Sequence, residues 1–264
     1  MNKVFGFIQR DIRLALSYPS SILMPFASIV FTVGGFSILA RIVSPHATFE
    51  SGRHLDYFTY VVVNLTFMVV INAAVQVVSA AIRRDQTCGT LEPIVATPTS
   101  LLEIVIASAA WPMIFAALQA CVYLACGLLF GIRLGNVNPA LLAEFLLLGT
   151  ACSAAVGAIA AAFVIAFKQP APLTIVIGSA ATLLTGVLFP VSLLPAPLQV
   201  VSWLLPLTHA LRGLRAAMTG AAFGSTAPDA LWLAGATLLL FPIALLALHL
   251  AIVRAKTDGS LSTY

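Results

Sequence analysis

The sequence predicts an all-α polytopic membrane protein, and three observations carry that prediction. Hydrophobic residues make up 61% of the 264 residues, charged residues only 8%, and the mean hydropathy is +1.05. A soluble domain typically has about 45–50% apolar and about 25% charged residues. Several apolar runs reach about 20 residues, the length of a helix that crosses a hydrocarbon core. Short alternating segments, which a membrane barrel needs, are absent. Helices follow because a bilayer core holds no water to satisfy backbone N–H and C=O groups outside the helix's own ladder.

Six spans are expected, near Ile22 to Ala40, Tyr57 to Ile82, Ile104 to Phe130, Ala140 to Phe167, Leu173 to Phe189 and Leu231 to Val253. An even number puts both termini on one side, and Lys and Arg select the side. With cytoplasmic termini the inside carries Lys3, Arg10, Arg13, Arg83, Arg84, Lys168, Arg254 and Lys256, and the outside carries Arg41, Arg53, Arg133, Arg212 and Arg215. The larger group sets the orientation. The first span is longer than the apolar core of a signal peptide, about 7–15 residues, and is read as a span.

Ahead of it, residues 1–20 read as an amphipathic interfacial helix, and residues 21–264 as the six-helix transmembrane domain. Met1, Val4, Phe5, Ile8, Ile12 and Leu16 share one helical face, with Lys3, Arg10 and Arg13 on the other. Such a helix lies along a membrane surface. A solvated stub that only supplies positive charge is the alternative reading.

Residues 190–220 are apolar, but Pro190, Pro195, Pro197 and Pro206 divide them into pieces too short to cross. They read as short re-entrant helices in the outer leaflet. Arg212 and Arg215, three apart, form an outer-face basic pair. Two roles are open for it: meeting an anionic headgroup or substrate, or anchoring by snorkelling.

Chemistry-bearing motifs are scarce. Cys88 lies in a cytoplasmic loop, and Cys121, Cys126 and Cys152 lie within spans, with no CxxC pair. His46, His54, His209 and His249 show no metal-binding spacing. No GxxxxGK[ST] occurs, so these residues do not bind ATP in the P-loop manner. An intramembrane enzyme or an ion-coupled carrier needs acids in the membrane. The only acid inside an expected span is Glu144, close to the start of the fourth. Catalytic residues, resident cofactors and metal ligands are therefore not expected. The polar groups within the spans are neutral: Asn64, Thr66, Asn72 and Gln76 on the second, Gln119 and Tyr123 on the third, Thr182 and Thr185 on the fifth. Of these, Asn64, Asn72, Gln76, Thr182 and Thr185 are candidates for a substrate path. Hydrogen bonding between helices is the competing role.

The segment RRDQTCGTLEPIVATPTSLLE, residues 83–103, stands apart. It holds Arg83, Arg84, Asp85, Glu92 and Glu103, between apolar runs that carry almost no charge. Pro93 and Pro98 bracket a short piece that reads as a helix lying beneath the membrane, with Leu91, Ile94 and Val95 available to a partner or the bilayer. A simple hairpin needs fewer and plainer residues.

Arg83-Arg84-Asp85, then Cys88-Gly89-Thr90-Leu91-Glu92 and Ala96-Thr97-Pro98, resembles the cytoplasmic loop of the type-2 ABC exporter permeases, which include drug, lipo-oligosaccharide and polysaccharide export permeases. The resemblance extends to the N-terminal helix, the six spans, and Phe189-Pro190-Val191, Leu194-Pro195 and Leu205-Pro206-Leu207-Thr208-His209 after the fifth span. Cys88 stands where the family more often has a polar or charged residue.

The resemblance implies that residues 83–103 form a coupling loop that docks on a separate ATP-binding cassette subunit. Thr90, Leu91 and Glu92 would then lie at the docking surface, and Arg83 and Arg84 would fix the end of the second helix. ATP and Mg would be bound by that partner, and a second permease chain, as in a homodimer, would complete the path. The path would be lined by the first, second and fifth helices. The expected location is the cytoplasmic (inner) membrane of a bacterium, among membrane lipids, with no role for nucleic acid. The expected cargo is an amphipathic drug, a glycolipid or a lipid-linked glycan. A membrane-embedded enzyme acting on a lipid, and a scaffold subunit, are the alternatives.

Overall fold

The computed structural model describes residues 2–42, 56–87, 101–132, 137–167 and 182–257. Among them the chain is helical throughout, with no strand. The helices are α1 (Asn2–Ser17), α2 (Pro19–Ile42), α3 (Tyr57–Thr87), α4 (Leu101–Leu129), α5 (Pro139–Phe167), α6 (Ala196–Leu204), α7 (Pro206–Met218) and α8 (Phe223–Thr257), with a 3-10 turn at Val191–Leu193. Within the described residues, five stretches are long and apolar enough to cross a membrane: Pro19–Ile42, Tyr57–Val77, Ala110–Leu129, Pro139–Phe163 and Phe223–Ala251. The fifth expected span falls largely on residues 168–181, which lie outside the described residues, as do residues 88–100 of the polar loop.

Local sequence sets the breaks. Tyr18 separates α1 from α2, where Pro19 opens the new helix at a position whose N–H has no ladder partner to lose. Asn138 starts α5 in the same way ahead of Pro139. Its Oδ1 accepts from the N–H of Leu141 at 3.3 Å, while its own N–H donates to the carbonyl of Ala217 at 2.8 Å. The beginning of α5 is thereby tied to the end of α7. Pro195 and Pro206 open α6 and α7, so the prolines that prevent this region from crossing also define its two short helices.

α3 and α5 form the centre of the bundle. α3 packs on α4 and, less extensively, on α2 at one side; at the other it meets α5, which packs in turn on α8. α7 closes one end across α3, α5 and α8. The core at that end joins Phe67 and Ile71 of α3, Leu141 and Phe145 of α5, Leu211 and Leu214 of α7, and Leu233 of α8. Further along, it changes character: Ala155, Ala158, Ala161 and Ala162 of α5 meet Ala244, Leu248 and Ala251 of α8. Lipid tails are as apolar as leucine, so helices associate in a bilayer by close packing, and small side chains let the backbones approach. Gly157 carries this furthest: a Cβ there would overlap the backbone carbonyl of Val75 on α3.

Outward faces are apolar. Phe31 on α2, Leu129 on α4 and Leu238 on α8 are largely exposed, as expected of surfaces that meet lipid. α1 joins the bundle. It packs on α4 and α2 and buries Asp11, whose Oδ1 accepts from Arg10 Nε at 2.9 Å.

One boundary differs from the sequence reading. The last membrane helix starts at Phe223 rather than near Leu231, and so takes in Asp229. The acid is accepted there because side chains of α7 compensate its charge.

Candidate functional site

Two polar assemblies lie at the end of the bundle where α3 and α8 begin, and both use α7. The first surrounds the break after residues 182–184, a helical turn that precedes α6. Gly186 has φ +75°, a left-handed conformation that glycine adopts without a Cβ clash, and the chain turns there. A helix end leaves carbonyls with no ladder partner, and in an apolar interior each unsatisfied one costs several kcal/mol. Three donors from distant parts of the chain meet them. Ser202 Oγ donates to the Leu184 carbonyl at 2.6 Å, Tyr60 Oη to that of Gly186 at 2.5 Å, and Asn64 Nδ2 to that of Val187 at 2.9 Å.

Arg215 completes this assembly. Its side chain is buried, its Nη1 donates to Asn64 Oδ1 at 3.1 Å, and its Cζ sits 5.1 Å from the centroid of the Tyr60 ring. The amide of Asn64 is thus used at both ends, giving to a carbonyl and accepting from a guanidinium. The cation over the Tyr60 ring gains attraction from the ring's electron-rich face, more so where water is excluded.

The second assembly is nearer the surface. His209 Nδ1 lies 2.7 Å from Asp229 Oδ1, and His209 Nε2 lies 2.8 Å from the carbonyl oxygen of Trp203. Arg212 Nε lies 3.4 Å from Asp229 Oδ2, with the guanidinium 5.1 Å from the Trp203 ring centroid. Trp203 and Trp232 flank the imidazole, with centroids 6.0 Å and 5.7 Å from it. Residues of α6, α7 and α8 are joined here through one histidine.

The residues singled out by sequence are divided. Arg83 and Arg84 lie near the end of α3, with side chains outside the described set, and Thr90, Leu91 and Glu92 lie outside the described residues altogether. Asn64 is fully buried, while Asn72 and Gln76 on the same helix are exposed. Thr185 is buried and Thr182 half-buried at the break. The basic pair is split: Arg212 keeps a half-exposed side chain against Asp229, whereas Arg215 is only 6% exposed. The outer-face basic pair is therefore one surface ion pair and one interior guanidinium. The three-residue offset turns Arg215 toward α3, where Asn64 and Tyr60 receive it.

Tyr60, Ser202 and Asp229 were not singled out by sequence, and His209 entered only as a histidine without metal spacing and within the Leu205–His209 segment. Their partners lie 126, 18 and 20 residues away, as in Tyr60 to Gly186, Ser202 to Leu184, and His209 to Asp229. No local spacing marks such pairs. The one usable signal is Asp229, an acid within a few residues of a long apolar run, which calls for a cation nearby.

The break assembly predicts an order of stabilities. Asn64→Leu removes a charge-assisted hydrogen bond and the donor to Val187, and should cost about 1.5–3 kcal/mol or more. Tyr60→Phe removes one neutral bond and should cost about 0.5–1.5 kcal/mol. Thermal unfolding of the purified protein in detergent should rank wild type above Tyr60→Phe, and Tyr60→Phe above Asn64→Leu.

No curated protein matches the chain closely enough to count as a relative. The family model of ABC-2 type transporters, however, matches residues 3–219, a stretch that takes in nearly all of α1 to α7, the whole of the first polar assembly and the α6 and α7 residues of the second. With membrane-spanning helices and a match over most of its length, this chain belongs to the ABC-2 type transporter family and is the membrane permease component of an ABC transporter.

Proposed function

We propose that this permease works as an exporter, as two copies of the chain each docked on a separate ATP-binding cassette subunit, and that it moves an amphipathic drug, a glycolipid or a lipid-linked glycan out of a bacterial cytoplasm. The observation that carries this reading is the family match over residues 3–219 in a chain whose residues hold no phosphate-binding loop. ATP and Mg then belong to the partner, and the chain needs a surface through which hydrolysis is felt. Residues 83–103 suit that task, being polar and long at the end of the central helix α3. In this reading Thr90, Leu91 and Glu92 contact the partner, and Arg83 and Arg84 hold the end of α3.

The cytoplasmic side is the one carrying Lys3, Arg10, Arg13, Arg83, Arg84, Lys168, Arg254 and Lys256. Residues 1–20 then lie along the inner surface, and residues 190–220 dip into the outer leaflet. Support for a path along α3 comes from Asn72 and Gln76. They are exposed amides four apart on a helix that is otherwise largely buried. Neither hydrogen-bonds to another described residue, so both remain available to a second chain or to a cargo with a polar part. The first, second and fifth spans line the path.

Three outcomes are expected. Glu92→Lys should leave the permease inserted and dimeric but abolish stimulated ATP turnover by the partner, through lost charge-assisted bonding or like-charge repulsion; unchanged turnover and export would remove Glu92 from the coupling surface. In oriented vesicles, an impermeant thiol reagent should label Cys88 only from the cytoplasmic side, and a cysteine at Ser51 only from the other; the reverse pattern would invert the orientation. Replacing Asn72 and Gln76 with leucine should preserve assembly while export falls or changes selectivity. A loss of dimer yield instead, at about 0.6–2 kcal/mol for each interhelical bond, would show that these amides join helices.

A further inference from the structure

The surface around His209 carries hydrogen-bond donors that the described residues leave unused. Trp203 on α6 and Trp232 on α8 are exposed, and neither indole N–H bonds to another described residue. Arg212 on α7 places its Nε 3.4 Å from Asp229 Oδ2 and its guanidinium 5.1 Å from the Trp203 ring centroid, while its Nη1 and Nη2 bond to no described residue. Indole and guanidinium groups donate and do not accept. The acid beside them is not offered with them: one Asp229 oxygen faces His209 and the other Arg212, and the Asp229 side chain is 6% exposed against 43% for Arg212. A molecule lying over this surface therefore meets donors and a cation.

The helices that carry these donors are otherwise apolar. Val200 and Leu204 on α6 and Leu231 on α8 are largely exposed, next to or three residues from the two indoles. Tryptophan with an apolar body and a free N–H belongs where hydrocarbon meets headgroups. A snorkelling arginine reaches for water on a free stem, whereas Arg212 is held between Asp229 and Trp203. A side chain already held loses less freedom on binding. The fitting ligand has acceptor oxygens at one end and hydrocarbon at the other. A phospholipid has both, and arginine meets phosphate through two parallel N–H···O bonds, for which Nη1 and Nη2 remain.

We infer that Arg212, Trp203 and Trp232 form a docking site for the headgroup phosphate of a membrane phospholipid. The guanidinium takes phosphate oxygens through Nη1 and Nη2, an indole N–H adds a neutral bond, and the acyl chains lie along Val200, Leu204 and Leu231. Because Asp229 balances the charge of Arg212, the site reads the phosphate and not the net charge of the lipid. Zwitterionic and anionic phospholipids therefore serve alike, and a glycolipid without phosphate does not. A lipid held there spans α6, α7 and α8. The inference rests on the proposal that residues 190–220 enter a leaflet, but neither on export nor on which leaflet it is.

The test needs no ATPase and no cargo. The chain has three tryptophans, so Trp111→Phe leaves Trp203 and Trp232 as the emitting indoles, and brominated acyl chains quench an indole that touches lipid. In nanodiscs of brominated phospholipid mixed with galactosyl diacylglycerol, quenching should exceed the mole fraction of phospholipid. The relative affinity should be several-fold above one, and equal for phosphatidylglycerol and phosphatidylethanolamine. Arg212→Gln, which keeps a donor for Asp229, should bring it to one, and Arg212→Lys, a single point charge without the fork, should retain part of it. In the wild-type protein, which requires no substitution to fold, native mass spectrometry with equal amounts of the three lipids should find phospholipid adducts in excess. Equal adducts, quenching that follows mole fraction, an unchanged preference in Arg212→Gln or a preference for phosphatidylglycerol alone would each overturn the site. Loss of the preference on adding soluble glycerophosphate would also overturn it, by showing that the phosphate is taken from water. No quenching even in fully brominated phospholipid would instead overturn the leaflet placement beneath it. Both leaflets of the nanodisc hold the same lipids, so a reversed orientation leaves these outcomes unchanged.

Discussion

No water reaches the interior of a bilayer, so every backbone carbonyl released where a helix stops short must be met by the protein itself. That demand is concentrated at Leu184, Gly186 and Val187, and the rest of this end of the molecule is arranged to meet it. Ser202 comes from α6, Tyr60 and Asn64 from α3, and Arg215 from α7 supports Asn64 from behind. The turn itself depends on glycine at position 186, where φ is +75°.

Charge follows the same logic. A guanidinium without partners is expensive in an apolar interior, and Arg215 is tolerated because Asn64 accepts from it and the Tyr60 ring lies beneath it. Asp229 is tolerated within an apolar helix because His209 and Arg212 arrive from α7. One short helix, Pro206–Met218, therefore serves two purposes. Arg215 on one side of it holds the break, and His209 and Arg212 on another hold the start of the last membrane helix. Small residues do the remaining joining, in the alanine seam between α5 and α8 and at Gly157 against α3.

The membership of the chain in the ABC-2 type transporters gives these features a setting. The central helix α3 runs from the clamp on the break, near its start, to the beginning of the polar loop at its other end.

The sequence by itself determined the class, the helical nature of the spans and the places where helices stop. Apolar composition excludes a soluble domain, bilayer thickness sets the length of each run, and prolines open α6 and α7. The polar loop and the order of proline-marked segments were enough to suggest the family. Tertiary structure decided what each polar residue does. Asn64 and Asn72 are the same residue type on the same helix, yet one is buried in a clamp and the other exposed, because α7 and the 186–187 turn cover only one of them. Arg212 and Arg215 look alike by spacing, but one faces Asp229 and the other Asn64. His209 looked isolated because its acid is 20 residues away, on another helix. Spacing along one helix reports which side chains share a face; which neighbour that face meets is settled only when distant segments pack.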